Sequence, residues 1–509
     1  MATESDFVCD IFIIGGGING CGVARDAAGR GLSVTLCEQG DLAQATSSAS
    51  TKLFHGGLRY LEHYEFRLVR EALIERERLL QMMPHISWPL RFVLPHHQGL
   101  RPSWFLRLGL FIYDHLGGRK LLPGTRAIKL DQDPVGKPLK DIFNLAFEYS
   151  DCWVDDARLV VLNAQDAAAL GADIRVRTQF LSAVRQDGIW LVSLEDVRSG
   201  ERYELRARCL VNASGPWVDE VISQKLHSKA PASIRLVRGS HVVVPKLFEH
   251  DKAYIFQNTD GRIIFAIPYQ NDFTLIGTTD EEHQAGPDST ECSEDEKAYL
   301  CASISEYFEE PVQTSDVVWH YSGVRPLYDD GASSASQTTR EYVLHVEDVD
   351  NDLPLLNIFG GKITTYRKLA EAALKKLHKY LPEMGKAWTA GAPLPGGNFN
   401  LSQFHGRVSG VRTSYPFIDE RWATRLVRGY GTQVSEILGD AKSVDDLGQN
   451  FGSDLTEAEL RWLIRKEWAR TAEDVLWRRT KIGLVATEDD QKKLEKWMLT
   501  QNTEYEHAN

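Results

Sequence analysis

Apolar residues first gather at Val8–Ile14, a short continuous run of the kind a parallel sheet buries on both faces. The run stops at glycine. A stretch of small residues with Ala24, Ala27 and Ala28 follows, predicting a helix that closes at Gly29 and Gly31. Residues 33–37 return as a second strand ending on Glu38, and an apolar strand end at Cys209-Leu210 suggests a third member of the same layer. Residues 58–82 predict a long helix. Between 230 and 285 the chain turns β-rich: 240–245, 253–258, 262–269 and 273–280 read as strands separated by turn residues, which suits an antiparallel sheet. Residues 370–377 predict an alanine-rich amphipathic helix. A Pro/Gly linker follows at 392–397, and beyond it lie charge-dense helical patterns rich in tryptophan (Trp422, Trp462, Trp468, Trp477, Trp497). No internal repeat is visible.

Composition narrows the class. At 509 residues the prior is about three domains, or two large ones. Hydrophobic residues at 43% and charged residues at 25% are ordinary for a globular chain, which excludes disordered and collagen-like classes. A net charge of −13 makes a general nucleic-acid binder a poor fit, since phosphate neutralisation needs basic surface. The seven cysteines (Cys9, Cys21, Cys37, Cys152, Cys209, Cys292, Cys301) are odd in number and never spaced Cys-x-x-Cys. That argues against a disulfide framework or structural zinc and for a reducing compartment. Residues 1–6 are acidic and lack the basic region of a signal or transit peptide, and no run reaches the ~18 apolar residues of a transmembrane helix. A cytoplasmic protein without a spanning segment is expected.

The chemistry starts after the first strand. Gly15-Gly-Gly-Ile-Asn-Gly20 is a G-x-G-x-x-G loop inside a complete strand–loop–helix–strand–acid unit. Gly15 permits the tight turn, Gly17 lets a pyrophosphate approach the backbone, and Gly20 lets helix and strand pack closely. The helix N-terminus offers N–H groups to phosphate, and Glu38 stands where a carboxylate accepts ribose hydroxyls. This motif alone does not separate FAD from NAD. In 41–60, four hydroxyl residues within 46–50 can add hydrogen bonds to a pyrophosphate, and Gly56-Gly57 lets the backbone approach a flat ring. The competing reading of that segment is a polar loop that caps the next helix. Residues 211–217 look like a third strand turning over the cofactor. Gly360-Gly361-Lys362 followed by Thr364-Thr365 makes an electropositive helix cap suited to the pyrimidine edge of an anionic flavin. An ordinary N-cap with a solvated lysine explains it equally well.

Together, GGGINGCG (15–22), ATSSASTKLFHGGLRYLEHYEFRLVREAL (45–73), FEYSDCWVDDARL (147–159), GPWV (215–218), RGSHVVVP (238–245), YSGVRPL (321–327), FGGKITTYRKLAE (359–371) and LWRRTK (476–481) resemble the aerobic-type, FAD-dependent respiratory glycerol-3-phosphate dehydrogenases of bacteria. The resemblance runs from the first strand to about residue 480. It departs mildly, with Ser214 where threonine is expected. Mitochondrial relatives carry calcium-binding hands, and Asp348, Asp350 and Asp352 mimic the start of such a loop. However, Leu353 and Phe359 replace its required glycine and bidentate glutamate, so a strand-to-strand turn is expected there.

The resemblance implies an α/β and α+β architecture. The cofactor motifs at 15–60, 211–217 and 357–367 must meet at one flavin, so a discontinuous Rossmann-like FAD-binding domain (1–95, 150–225, 340–388) interleaves with a D-amino-acid-oxidase-like antiparallel substrate domain (96–149, 226–339), and an all-α cap covers 389–509. It implies FAD held by Gly15, Gly17, Asn19, Gly20, Glu38, Thr46, Ser47, Ser48, Ser50, Gly56, Gly57, Ala213, Gly215, Gly361, Lys362 and Thr364. It also implies oxidation of sn-glycerol 3-phosphate to dihydroxyacetone phosphate, hydride passing from C2 to flavin N5 and electrons on to a membrane quinone, ubiquinone or menaquinone. A dianionic phosphate calls for cations, and Arg325, Arg59 and Lys362 are the matching positions, with Tyr60 as a further donor. His55, beside the glycine pair, is the candidate base for the hydroxyl proton; His241 and His320 read as polar core residues. Asp151, Trp153, Asp155 and Asp156 read as an acidic turn explained by capping and an Arg158 pair. No metal cluster is expected.

Residues 101–120 mix large apolar side chains with Arg101, Arg107, Arg119 and Lys120 and are too short to span a bilayer. An interfacial helix on anionic lipid and a helix buried between domains are equally good readings. The resemblance favours a peripheral enzyme on the cytoplasmic face of the inner membrane and leaves a homodimer open. Two alternatives stand beside it: a same-fold oxidase using oxygen or acting on an amine or amino acid, and a flavin- or nucleotide-binding protein without turnover.

Overall fold

The computed structural model describes residues 8–508, apart from 62–63, 98, 229–233, 259, 289, 330–340 and 350–351. The acidic start at 1–6 and the middle of the calcium-loop mimic, Asp350 and Asn351, therefore lie outside the described residues; the flanking strands Val343–Val349 and Asp352–Phe359 pair antiparallel.

The predicted N-terminal unit forms as strand Val8–Ile14, helix Ile18–Gly29 and strand Val34–Glu38. Strand Val8–Ile14 is central. It pairs parallel with Val34–Glu38 on one side and with Arg202–Asn212 on the other; Asp173–Val176 and Asp352–Phe359 extend the parallel layer outward. Side chains alternate along that strand, as a sheet covered on both faces requires. Ile11 and Ile13 face helices Ile18–Gly29, Asp156–Ala169 and Tyr366–Leu377, while Phe12 and Ile14 pack with Phe180, Trp190 and Leu194 of the hairpin 178–196.

Among the described residues the second sheet has ten strands, in the order 281–282, 234–245, 273–277, 263–269, 253–257, 87–96, 145–154, 53–54, with 319–328 added to 234–245 and 126–129 to 145–154. All of its pairings are antiparallel except 253–257 with 87–96. Strands 87–96 and 145–154 belong wholly to this sheet, so its share of the chain is wider than the expected 96–149 and 226–339. One face buries helix Glu294–Ser305; the other meets helices Phe66–Met82 and Ser103–Leu116. The expected helix at 58 starts later: 58–61 is a 3-10 turn and the α-helix begins at Phe66.

The C-terminal chain forms its own apolar core from helices between Phe404 and Ala508, with Trp422, Leu426, Trp462 and Leu463 at its centre. The Pro/Gly linker is docked, not loose. Leu394 N–H donates to Met82 O (3.0 Å), and Thr432 N–H donates to Gly396 O (3.0 Å).

Three local expectations change. Asp151 and Trp153 sit in strand Leu145–Val154, not in a turn, because they complete the antiparallel ladder with 87–96. Asp155 does cap the next helix, accepting from Arg158 N–H at 3.1 Å, but the Arg158 guanidinium turns to Glu467 of the C-terminal domain. His320 is exposed on its strand instead of filling a core site, whereas His241 is fully buried.

Candidate active site

The two sheets and the C-terminal domain enclose one cavity of about 2000 Å³. Its floor is the glycine turn. Gly15 adopts φ +108°, and a side chain there would strike Ala213 O at 2.7 Å, so the turn is closed to other residues. Gly17 is the N-cap of helix Ile18–Gly29, leaving the first N–H groups of the helix aimed at the cavity. Ser47 Oγ accepts from Ile18 N–H (3.0 Å) and stands at that same helix end. Asn19 donates to Gly360 O (3.2 Å), tying the turn to the second glycine pair; its side-chain oxygen is buried and unpartnered. Glu38 accepts from Gly16 N–H and Gly40 N–H, both at 2.7 Å. Burial pushes its carboxyl up, against the lowering pull of those N–H groups. Gly20 lies behind the floor, against Gly15 O.

A glycine-capped helix N-terminus with a serine hydroxyl beside it, a carboxylate at the end of the second strand and the orphaned Asn19 oxygen fit an adenine dinucleotide that carries a flavin. The hydroxyl loop shares this work unevenly. Thr46 donates to Val324 O (2.6 Å) and Ser50 to Asp156 (2.8 Å), so these two also fix the loop to its surroundings, and all four hydroxyl residues line the cavity. Ala213 and Gly215 close the floor from the end of strand Arg202–Asn212.

Above the floor, three distant segments converge. His55, Arg59 and Tyr60 come from the short strand 53–54 and the 3-10 turn; Arg325 comes from strand Trp319–Tyr328; Gly361, Lys362 and Thr364 come from the start of helix Tyr366–Leu377. All of them line the cavity. Lys362 Nζ sits 3.9 Å over the Tyr60 ring, and His55 N–H donates to Thr364 Oγ1 (3.4 Å). Gly57 reaches the cavity wall, but Gly56 packs under Leu73 and Tyr113, and its N–H donates to the Tyr113 hydroxyl oxygen (2.7 Å).

Several residues that sequence reasoning missed hold this arrangement. Arg325 donates to Asp280 (2.6 Å) and to Thr278 Oγ1 (3.1 Å), and only the missing side chain of Gly239 leaves room for its guanidinium. Tyr113 donates to Asp151 (2.8 Å), which also receives Arg76 at 2.5 Å; this buried trio supports Gly56 from behind. Lys52, fully buried, donates to Asp156 (2.7 Å) and Ser48 O (3.0 Å) and so pins the hydroxyl loop. His241 lies behind the wall, stacked on Tyr321 with its Nε2 2.9 Å from Thr51 Oγ1. Burial first, then the charges of Arg325 and Lys52, push its imidazole well below the usual range, which keeps it neutral. Trp477 and Arg478 of the C-terminal domain complete the wall, Trp477 stacking on Trp319 at 4.5 Å. In the sequence His241 reads as a polar core residue and Asp151 as part of a turn, while Arg76, Tyr113, Thr278 and Asp280 give no signal of their partners.

The helix Ser103–Leu116 borders the cavity on one side with Leu106, Gly109 and Ile112 and buries Leu110 and Tyr113 on another. Its third side exposes Trp104 (67%), Leu108 and Phe111 (58%). Among the described residues no helix is long and apolar enough to cross a membrane.

Known proteins resemble this chain along nearly its whole length. The family of FAD dependent oxidoreductases matches residues 10–367, and the C-terminal domain of alpha-glycerophosphate oxidase matches 387–504. The chain is 51% identical to D-erythritol 1-phosphate dehydrogenase of Brucella abortus and 50% identical to aerobic glycerol-3-phosphate dehydrogenase of Escherichia coli. Each alignment covers 96% of this chain and 97% of the relative. Glycerol-3-phosphate dehydrogenase from Bacillus halodurans, solved in complex with FAD, superposes with a TM-score of 0.76 at 25% identity, covering 98% of this chain and 95% of that one.

Proposed function

The chain belongs to the FAD-dependent glycerol-3-phosphate dehydrogenase family, and from that premise we propose that it oxidises sn-glycerol 3-phosphate at C2 to dihydroxyacetone phosphate and delivers the electrons to a membrane quinone. FAD-dependent oxidation of this substrate or a related sugar phosphate is the family's chemistry. The observation that supports the finer reading is that Arg59, Lys362, Arg325 and His55 all line the cavity over the dinucleotide floor.

In this reading the floor holds FAD through the Gly15–Gly17 turn, Glu38 and Ser47, and the flavin, when bound, supplies the hydride acceptor. Arg59 and Lys362 bind the substrate phosphate together with Arg325, whose fork is aimed by Asp280 and Thr278. Tyr60 donates a further hydrogen bond and shields the Lys362 charge with its ring. His55 takes the C2 hydroxyl proton as the C–H bond breaks.

The quinone and lipid reading is supported by helix Ser103–Leu116, which presents aromatic side chains outward while lining the cavity inward. Such a helix suits the interface of a bilayer and would place a lipid-soluble acceptor beside the flavin chamber.

Anaerobic addition of glycerol 3-phosphate should bleach the visible absorbance of the bound flavin, and a ubiquinone analogue should restore it. Flavin that stays oxidised rejects the reaction. Peroxide release with no quinone reduction leaves an oxidase.

A second substrate has its own support. The Brucella relative is a D-erythritol 1-phosphate dehydrogenase, and the cavity near Arg325 also carries Asp280 and Glu281, acceptors for additional hydroxyls. Comparing kcat/KM for the two polyol phosphates on the same preparation decides between them.

A further inference from the structure

The C-terminal domain reaches the dinucleotide floor through the loop after the second strand. Its helical turn Asp474–Arg479 directs two consecutive arginines at Asp41, a fully buried carboxylate on the loop after the second strand. Arg478 Nε donates at 2.6 Å, and the two terminal nitrogens of Arg479 donate at 2.8 and 2.7 Å.

Asp41 is bonded into the cofactor floor. Its own N–H donates to the Gln44 side chain (2.7 Å), Ala43 N–H donates to Gly16 O (3.1 Å), and Gly40 N–H donates to Glu38. The other Glu38 oxygen takes Gly16 N–H from the glycine turn. Asp474 grips the loop from its other side: Arg177 donates to it at 2.9 Å and donates its backbone N–H to Gly40 O (3.0 Å). Arg478 closes the circuit with a second bond to Asp474 (2.5 Å). Every charge in the circuit has an opposite partner, and removing one partner leaves the other buried without compensation. A pair that only joins two domains needs none of these links to the glycine turn; Arg158–Glu467 is such a pair.

We propose that Arg478 and Arg479 are positioning residues for FAD: acting through Asp41, they set the loop that fixes Glu38 against the glycine turn, so the C-terminal domain contributes directly to cofactor affinity. This rests on FAD as the cofactor and not on the identity of the substrate.

The test titrates FAD into full-length apoprotein and reads flavin fluorescence. Asp41→Asn would take from Arg478 and Arg479 the buried carboxylate they share and threaten folding, so Arg478→Lys and Arg479→Lys carry the test: each keeps a charge and loses the fork. The control is Arg425→Lys, which breaks a two-point bond to Glu459 inside the C-terminal domain. Each test variant should raise the FAD Kd roughly tenfold, the size of one lost charge-assisted hydrogen bond. The control should lose thermal stability yet keep its FAD Kd within about twofold of the parent, as expected for a distant site. An unchanged Kd in both test variants overturns the proposal. So does an equal rise in the control, which would mean general loosening of the domain. Because no substrate is present, failure to oxidise glycerol 3-phosphate would leave the result readable.

Discussion

Arg325 owes its position to neighbours that its own sequence motif does not contain. Its guanidinium is aimed by Asp280 and Thr278 and accommodated by Gly239. Arg325→Ala should therefore lower kcat/KM for glycerol 3-phosphate on the order of 100-fold, mostly through KM, since two charge-assisted hydrogen bonds are lost. The flavin-to-protein ratio should stay at the parent value; equal loss of flavin would move Arg325 to the cofactor. Asp280→Asn keeps the shape of the site but frees the fork, and steady-state kinetics should show a smaller rise in KM, roughly tenfold. His55→Asn should slow flavin reduction by about 10²–10⁴-fold with substrate affinity largely kept, and an unchanged stopped-flow reduction rate would remove it as the base. Arg325, His55 and Lys362 were legible in the sequence because each sits in a compact motif. Asp280 was not. Its meeting with Arg325 depends on strand 234–245 pairing with 319–328 on one edge and 273–277 on the other, a register with no local signal in the chain.

Helix Ser103–Leu116 shows where hydrophobic patterning runs out. It is apolar on three sides, so its sequence served an interfacial helix and a buried helix equally well. In the folded chain Leu110 and Tyr113 face inward while Trp104 and Phe111 face outward, so each reading keeps a face. The 3-10 turn at 58–61 was likewise invisible, because its apolar residues continue the helical spacing of Phe66–Met82; it is this break that brings Arg59 and Tyr60 to the cavity. The double variant Trp104→Ser, Phe111→Ser removes two exposed aromatics whose insertion would contribute about 1.5–3 kcal/mol each. Binding to vesicles containing anionic lipid should fall at least about tenfold in co-sedimentation, with turnover on a soluble dye acceptor unchanged. Undiminished vesicle binding would place the lipid contact on another face.

At the scale of the whole molecule, the interleaving of two sheets was readable because cofactor motifs recur at the start, middle and end of the first 370 residues and must meet at one site. The seam with the C-terminal domain was not readable, since its partners are far apart and its linker looks like an ordinary spacer. That seam encloses His85, fully buried, within packing distance of Gly396 and Gly397 and tilted against Phe399. Burial, reinforced by the positive charges of Arg158 and Arg428, pushes its imidazole from 6.5 down to about 3. In the unfolded chain His85 takes a proton as pH falls through 6.5, while in the folded chain it stays neutral almost to 3. The unfolded state thus binds more protons across that window. The contribution of His85 to stability is fully present above 6.5 and is lost as pH falls toward 3, with a slope of up to ~1.4 kcal/mol per pH unit. Thermal denaturation of the parent and of His85→Gln, recorded from neutral pH downward, should show a shallower decline for the variant through this range, because glutamine takes up no proton on unfolding. Parallel profiles would mean that the imidazole is already charged within the seam, held there by an acceptor strong enough to outweigh both arginines.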